Sequence, residues 1–301
     1  MKKIVHIDVC IASYQRPLML SNLLHSLANQ ELDGISMRVI VIDNDCKKSA
    51  YPVVKAFQEK HAFEMTYDVE PQKNISLARN RALRHVKADY LAFVDDDEVV
   101  SKKWLRALLD SLIQYDADVA FGPVMSVLPI DAPPWAKKIF SRPHLRTGAP
   151  VLFGGAGNVM MKRQLLDDAK QHFNVQFGLT GGEDTEFFYR LHLMNKRLIW
   201  CEEAPIDELV PATRVTLKWL RMRGFRSGQN YNRIVISRYS FVKKMIWFFK
   251  KILQFFSGLA LAPFLRFVSY SSYIALTVRI AATAGQLSHC FSEKNFEEYN
   301  T

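Results

Sequence analysis

Acidic residues are missing from one long stretch of this chain. Between residues 209 and 292 there is no Asp or Glu, yet 13 Lys or Arg occur there. The remainder holds 27 basic against 30 acidic residues, so the formal +10 of the whole divides into a body near −3 and a tail of +13. Such asymmetry points to an anionic partner for the tail: nucleic acid, phosphates or a membrane surface. Cysteine is also scarce. Cys10, Cys46, Cys201 and Cys290 form no CxxC or Cys/His ligand spacing, which argues against a disulfide framework and a zinc site and makes a reducing cytosol the simplest compartment. Long uncharged runs are lacking too: residues 252–265 and 267–278 give runs of 14 and 12, separated by Arg266, short of the roughly 20 that a spanning helix needs. The start, Met1-Lys2-Lys3-Ile4, resembles a signal peptide, but Asp8 interrupts the apolar segment and a first strand is expected instead. Finally, Gly154-Gly155-Ala156-Gly157 lacks the third glycine of a dinucleotide fingerprint and precedes a strand, which disfavours an NAD site.

What is present is enough for a large core: 301 residues, 49% hydrophobic and 23% charged, suit one large domain with an appendage, or two domains. Residues 5–12 alternate as a strand, and Pro17 opens a helix striped by Leu20, Leu23, Leu24 and Leu27. A buried-type strand at 38–42, a helix at 49–60, a strand at 65–69, a helix at 75–86 and a strand from Tyr90 follow. Ser101 is expected to cap the next helix, residues 119–127 to form a strand, and residues 128–150 a Pro-rich connection carrying Trp135 and His144. Trp135 has two readings there, stacking on a sugar or lipid and plain core packing. Strands alternating with helices imply an α/β fold with a mainly parallel sheet, whose ligands sit beyond the strand carboxyl ends. Three of those ends carry polar clusters: residues 13–16, 43–45 and 95–98.

Asp95-Asp96-Asp97-Glu98 ends an apolar run without a turn residue. Four adjacent carboxylates repel one another, so the run suits a hard cation such as Mg2+ or Mn2+, or else a solvated turn. Gly181-Gly182-Glu183-Asp184 precedes an amphipathic helix, where an acid either caps the helix or presents a general base to a crevice. The bare backbone near Gly155 suits close approach of a ligand, or a tight hairpin. In the tail, Arg223 and Arg226 flank glycines, and a mobile loop carrying them suits neutralisation of a diphosphate leaving group, the alternative being a solvated helical face. Residues 241–265 mix lysines with aromatics, as expected of helices lying in an anionic membrane interface; a buried helical subdomain is the alternative. No nucleic-acid reader motif is present.

In order, these motifs resemble the family 2 glycosyltransferases, inverting enzymes with the GT-A nucleotide-sugar fold, and among them the bacterial succinoglycan-type transferases. The landmarks are Ser13-Tyr14-Gln15-Arg16-Pro17, Val41-Ile42-Asp43-Asn44-Asp45, Asn74-Ile75-Ser76-Leu77-Ala78-Arg79-Asn80, Phe93-Val94-Asp95-Asp96-Asp97, Gly155-Ala156-Gly157-Asn158 and Gly182-Glu183-Asp184. Gln15 stands where Asn is frequent, and Ala12 where Pro is frequent. The resemblance, which covers about residues 5 to 230, implies a GT-A domain over residues 1–210, and the charge and aromatics of the tail add a helical, basic, membrane-associated region over 211–301. It implies that Ser13, Tyr14, Arg16 and Asp43 hold the nucleoside, with Arg79 near the base or diphosphate. Asp95 and Asp97 become a DxD pair for Mn2+ or Mg2+, with Asp97 on the metal and Asp95 also near the ribose. Asp96, Gly155, Asn158 and Glu183 fall in the substrate-binding set, and Asp184 becomes the catalytic base. The implied partners are a nucleotide-diphosphate sugar, a glycan or lipid-linked acceptor and an anionic membrane on the inner face of the cell, with no nucleic acid. The Gln-x-x-Arg-Trp motif of processive relatives is absent, which implies one sugar per encounter. A nucleotidyltransferase and a nonenzymatic membrane or nucleic-acid adaptor are the alternatives.

Overall fold

The computed structural model describes residues 4–61, 64–142, 144–167 and 172–291; the basic start at Lys2 and Lys3 and residues 292–301 of the expected C-terminal region lie outside them. The chain runs β1 (Val5–Ser13), α1 (Pro17–Ala28), β2 (Ile35–Asp43), α2 (Tyr51–Lys60), β3 (Glu64–Val69), α3 (Ile75–His85) and β4 (Tyr90–Val94). It continues with β5 (Glu98–Val100), α4 (Trp104–Gln114), β6 (Val119–Phe121), β7 (Val124–Val127), α5 (Pro134–Phe140), β8 (Asn158–Lys162) and α6 (Gln164–Asp167). Then come α7 (Glu183–Leu193), β9 (Leu198–Trp200), β10 (Ile206–Leu209), α8 (Leu217–Ile234), α9 (Phe241–Val268) and α10 (Tyr270–Ser288). Three local expectations are corrected. Gly122-Pro123 splits the strand expected at 119–127 into β6 and β7. Ser101 gives α4 no side-chain cap; its carbonyl accepts from Trp104 N at 3.1 Å instead. The Pro-rich connection contains α5, which Pro134 starts at a position where a missing N–H costs nothing.

Two compact units result: Met1–Met125, Arg142–Leu179 and Glu183–Leu209 form the first, and Ser126–Ser141, Thr180–Gly182 and Val210–Thr301 the second. The first is built on a seven-stranded sheet of order β3-β2-β1-β4-β8-β6-β9, in which β8 alone runs against its neighbours β4 and β6. Alternate residues of each strand enter opposite layers. Ile7, Val9, Ile11, Val39 and Val41 pack with α1, α2 and α4, whereas Cys10, Ile40, Ile42, Leu91 and Phe93 pack with α3 and α7. Burial on both faces is why these strands read as continuous apolar runs. Register then sets the site. Ser13 pairs with Asp43, and Val94 with Asn158, so the ends of β1, β2 and β4 and the start of the reversed strand β8 share one edge.

In the second unit α8 and α10 cross closely. A Cβ on Gly228 would lie 2.0 Å from the Ala282 carbonyl oxygen, and one on Gly285 would lie 1.9 Å from that of Phe225. These glycines serve close packing, and the arginine-bearing loop expected near Arg223 and Arg226 is a continuous helix. Trp135 packs at the edge of a small core of Ala136, Val210 and Val215. Among the described residues α9, at 28 residues, is the one helix long and apolar enough by length and composition to cross a membrane.

Candidate active site

The site is assembled at the shared edge of the first unit. Beyond β4 the chain turns through Asp95, Asp96 and Asp97 into β5, and the three side chains separate. Asp96 turns inward and is 4% exposed. It accepts from Ser13 Oγ at 2.8 Å, from Tyr14 N at 3.3 Å and from Arg16 Nη1 at 3.0 Å, fastening the loop after β1 to the strand end. Burial, opposed by Arg16 and reinforced by the Asp97 charge, pushes its carboxyl up to about 6. Arg16 also donates to Asp97 at 2.8 Å. In that loop Gln15 has φ 55, a left-handed conformation in which Asn is enriched, and Lys73 Nζ lies 5.0 Å over the Tyr14 ring. Glu98 is buried and accepts from Asp95 N at 2.9 Å; burial, then the Asp95 charge, raises its pKa well above the usual range.

Arg79 links this acid run to the second one. It reaches from α3, 5% exposed, with Nη2 2.9 Å from Asp95 and Nη1 bonded to Glu183, and it stacks 5.6 Å over Phe173. Burial works against its charge, but Asp95, Glu183 and Asp184 outweigh that and raise its pKa. Glu183 opens α7, after two glycines with φ of 73 and 88. Burial, then the charge of Asp184, raises its pKa against the opposing Arg79, and its Oε2 is buried with no hydrogen-bond partner among the described residues. Asp184 is half-buried and accepts from Thr185 N at 2.6 Å. A Cβ on Gly155 would lie 3.5 Å from Asp184 Oδ2, and one on Gly157 would lie 2.7 Å from Glu98 and 3.0 Å from Asp95. The glycine-rich segment therefore brings bare backbone to both acid runs.

Ser13, Tyr14, Arg16, Arg79, Asp95, Asp96, Asp97, Gly155, Glu183 and Asp184 are thus gathered at one edge. Other expected residues are placed differently. Asp43 is fully buried and accepts from Asp45 N, Ala50 N and Tyr67 Oη at 3.1, 2.7 and 3.0 Å, so its side chain braces the loop after β2; burial raises its pKa. Asn158 is buried with its side chain engaged by the protein: Trp104 donates to it at 2.7 Å, and it donates to the carbonyls of Pro123 and Ala204. Arg223 and Arg226 belong to the second unit, where Arg223 lies 5.1 Å over the Trp219 ring. Sequence reasoning missed the Asn44–Asn74 pair. Asn44 Oδ1 accepts from Asn74 N at 2.9 Å, and Asn74 caps α3 through Leu77 N, which fixes the helix that carries Arg79. The signal was Asn74 itself, an N-cap residue ahead of an amphipathic helix.

Residues 8–169 match the family model described as glycosyl transferase family 2. The succinoglycan biosynthesis protein ExoM of Rhizobium meliloti (strain 1021) is 32% identical over 98% of this chain and 96% of its own length. The chain belongs to glycosyl transferase family 2. It is accordingly a nucleotide-sugar-dependent glycosyltransferase, which displaces the nucleotidyltransferase and adaptor alternatives. Two solved structures share the transferase's GT-A fold at low identity. S. aureus TarS 1-349, in complex with UDP-GlcNAc, has a TM-score of 0.56 at 14% identity, covering 94% of this chain and 91% of that one. Mannosyltransferase PcManGT from Pyrobaculum calidifontis, in complex with GDP-Man and Mn2+, gives 0.62 at 16%, covering 93% and 86%.

Whether the transferase's residues suit a divalent cation rests on their donor chemistry. Among the described residues no group of three or more His, Cys, Asp or Glu side chains could hold a metal ion. Asp95 and Asp97, however, offer two carboxylates at one strand end, and a small hard cation that draws its other ligands from water and phosphate needs no more. The donor set fits Mg2+ or Mn2+ held jointly with a diphosphate.

Proposed function

We propose that this glycosyltransferase is inverting, with Asp184 as its general base, and that it adds one sugar to a hydroxyl of a lipid-linked or surface-polysaccharide acceptor. The observation that carries this reading is the position of Asp184: half-buried, beside the bare backbone at Gly155, and next in sequence to Glu183, which Arg79 ties to Asp95. Asp184 takes the proton of the acceptor hydroxyl. The freed oxygen pair forms the new bond at the anomeric carbon from the face opposite the nucleotide, the bond to the diphosphate breaks with its electrons, and configuration inverts in one displacement. Asp97 and Asp95 would hold Mn2+ or Mg2+, which when bound supplies positive charge to the diphosphate. The loop of Ser13, Tyr14 and Arg16, fastened by Asp96, receives the nucleoside, beside the loop that Asp43 braces. The +13 tail supports a place on the anionic inner face of the cell membrane, as a peripheral protein of the cytoplasmic side.

A panel of nucleotide-sugar donors tests this, with product configuration read by NMR. Release of a nucleoside diphosphate and an inverted anomeric centre are expected; retained configuration overturns the single displacement. EDTA should abolish turnover, and Mn2+ or Mg2+ should restore it. Full activity in chelator removes the metal role of Asp95 and Asp97.

A further inference from the structure

The uncharged runs that straddle Arg266 are not separate short helices: the first lies inside α9, which continues through Arg266 to Val268. One side of α9 packs within the second unit. Trp247, Lys251 and Phe255 are partly covered and Gly258 and Ala262 buried, and a Cβ on Gly258 would meet Ile280 of α10 at 2.9 Å. The opposite side carries Ile246, Phe249, Leu253, Phe256, Phe264 and Phe267, exposed by 52 to 89%. Their spacing is helical. At 3.6 residues per turn these six fall within an arc of roughly 80°, inside an uncharged arc of roughly 200° that runs the length of the helix. Lys243 and Lys250 stand at one rim of that arc and Arg266 at the other.

From this arrangement we propose that α9 is a membrane-docking helix lying in the plane of an anionic bilayer, its phenylalanine arc in the acyl boundary and its rim cations among the headgroups. Charge complementarity commits the surface to lipid: the second unit's stretch from residue 210 to 292 carries 13 cations and no acid. Basic groups on long stems at both rims of an apolar arc are suited to reach back to the headgroups while their stems stay apolar. Geometry separates lying from spanning. The longest uncharged stretch of α9, residues 252–265, rises only about 21 Å against a hydrocarbon core of about 30 Å, so a span would carry Lys250, Lys251 or Arg266 into the hydrocarbon. The docking helix rests on the membrane-surface reading above and is independent of the proposed chemistry.

The test is flotation of the full chain with vesicles of phosphatidylcholine, with and without phosphatidylglycerol. Binding to the anionic vesicles should fall at least tenfold in Phe249→Glu/Phe256→Glu. In Lys243→Gln/Lys250→Gln it should fall several-fold on anionic vesicles and little on neutral ones. Bound protein should be extracted at alkaline pH. Nucleoside diphosphate release from the donor, measured without vesicles, should match the unaltered chain in both variants, which separates loss of docking from failure of the catalytic reading. Vesicle binding unchanged by the Phe pair overturns α9 as the docking element while leaving membrane association standing. Resistance to alkaline extraction overturns the in-plane geometry in favour of a span. Absence of binding to any vesicle, with a dimer that the Phe pair disperses, assigns the arc to a second copy instead.

Discussion

The acid run at residues 95–98 and the acid run at residues 183–186 resemble each other in sequence and differ in how they are neutralised. Each contributes a buried member, Asp96 and Glu183, beside a more accessible one, Asp95 or Asp97 and Asp184. The first run faces two arginines, Arg16 and Arg79, and its buried carboxylates also accept from Ser13 Oγ and from the backbone of Tyr14 and Asp95. The second meets Arg79 at Glu183 and Arg190 at Glu186, and leaves Glu183 Oε2 without a partner among the described residues. The first run is therefore held by the fold on several sides, whereas in the second Arg190 answers Glu186 from within α7 and Glu183 is tied to the first run through Arg79. Adjacent acids take different jobs according to which one turns beneath the sheet edge.

That contrast can be broken at its shared member. Arg79→Met leaves Glu183 and Asp95 without their common cation, and the loss of one partner from a buried ion pair should cost about 3–5 kcal/mol in urea unfolding. A loss below about 1 kcal/mol would mean that Arg79 does not tie the runs together. The glycine-rich segment gives a finer comparison. Gly157→Ala pushes a methyl against Glu98 and Asp95 and should destabilise by about 1–3 kcal/mol, whereas Gly155→Ala meets Asp184 at ordinary contact distance and should cost under about 0.5 kcal/mol. Equal costs would deny the tighter packing of the first run.

Titration sharpens the same point. Asp96 rises from 3.8 to about 6 on folding, so between those values the native state holds the extra proton. The stability it contributes is full below pH 3.8 and is lost as pH rises through about 6. The slope is at most one proton, or about 1.4 kcal/mol per pH unit. Asp96→Asn should flatten the fall in stability between pH 4 and 6 by up to that amount, and an unchanged slope would place the proton elsewhere.

Much of the fold was legible because periodicity is local. The apolar runs, the stripe of Leu20 to Leu27 and the polar strand ends announced β1 to β4, α1 to α3 and the edge where the site lies. The parts that were not legible depend on partners far along the chain. Arg79 reads as a cation near a base or diphosphate, but its tie to Glu183, 104 residues later, is announced by nothing in its own neighbourhood. The bond from Trp104 to Asn158 depends on β8 running antiparallel beside β4, which the local sequence does not announce. The expected loop at Arg223 becomes a helix because Gly224 and Gly228 answer a neighbour across a helix crossing, and nothing in their own neighbourhood announces it.

The division of labour between adjacent acids is tested most directly by replacing each with its amide and measuring donor binding beside single-turnover transfer. Asp184→Asn should bind the nucleotide sugar as the unaltered enzyme does and lose transfer by roughly 10²–10⁴-fold, the usual contribution of a general base. Glu183→Gln should keep transfer within about tenfold. Undiminished transfer by Asp184→Asn, or the larger loss in Glu183→Gln, would contradict Asp184 as the base.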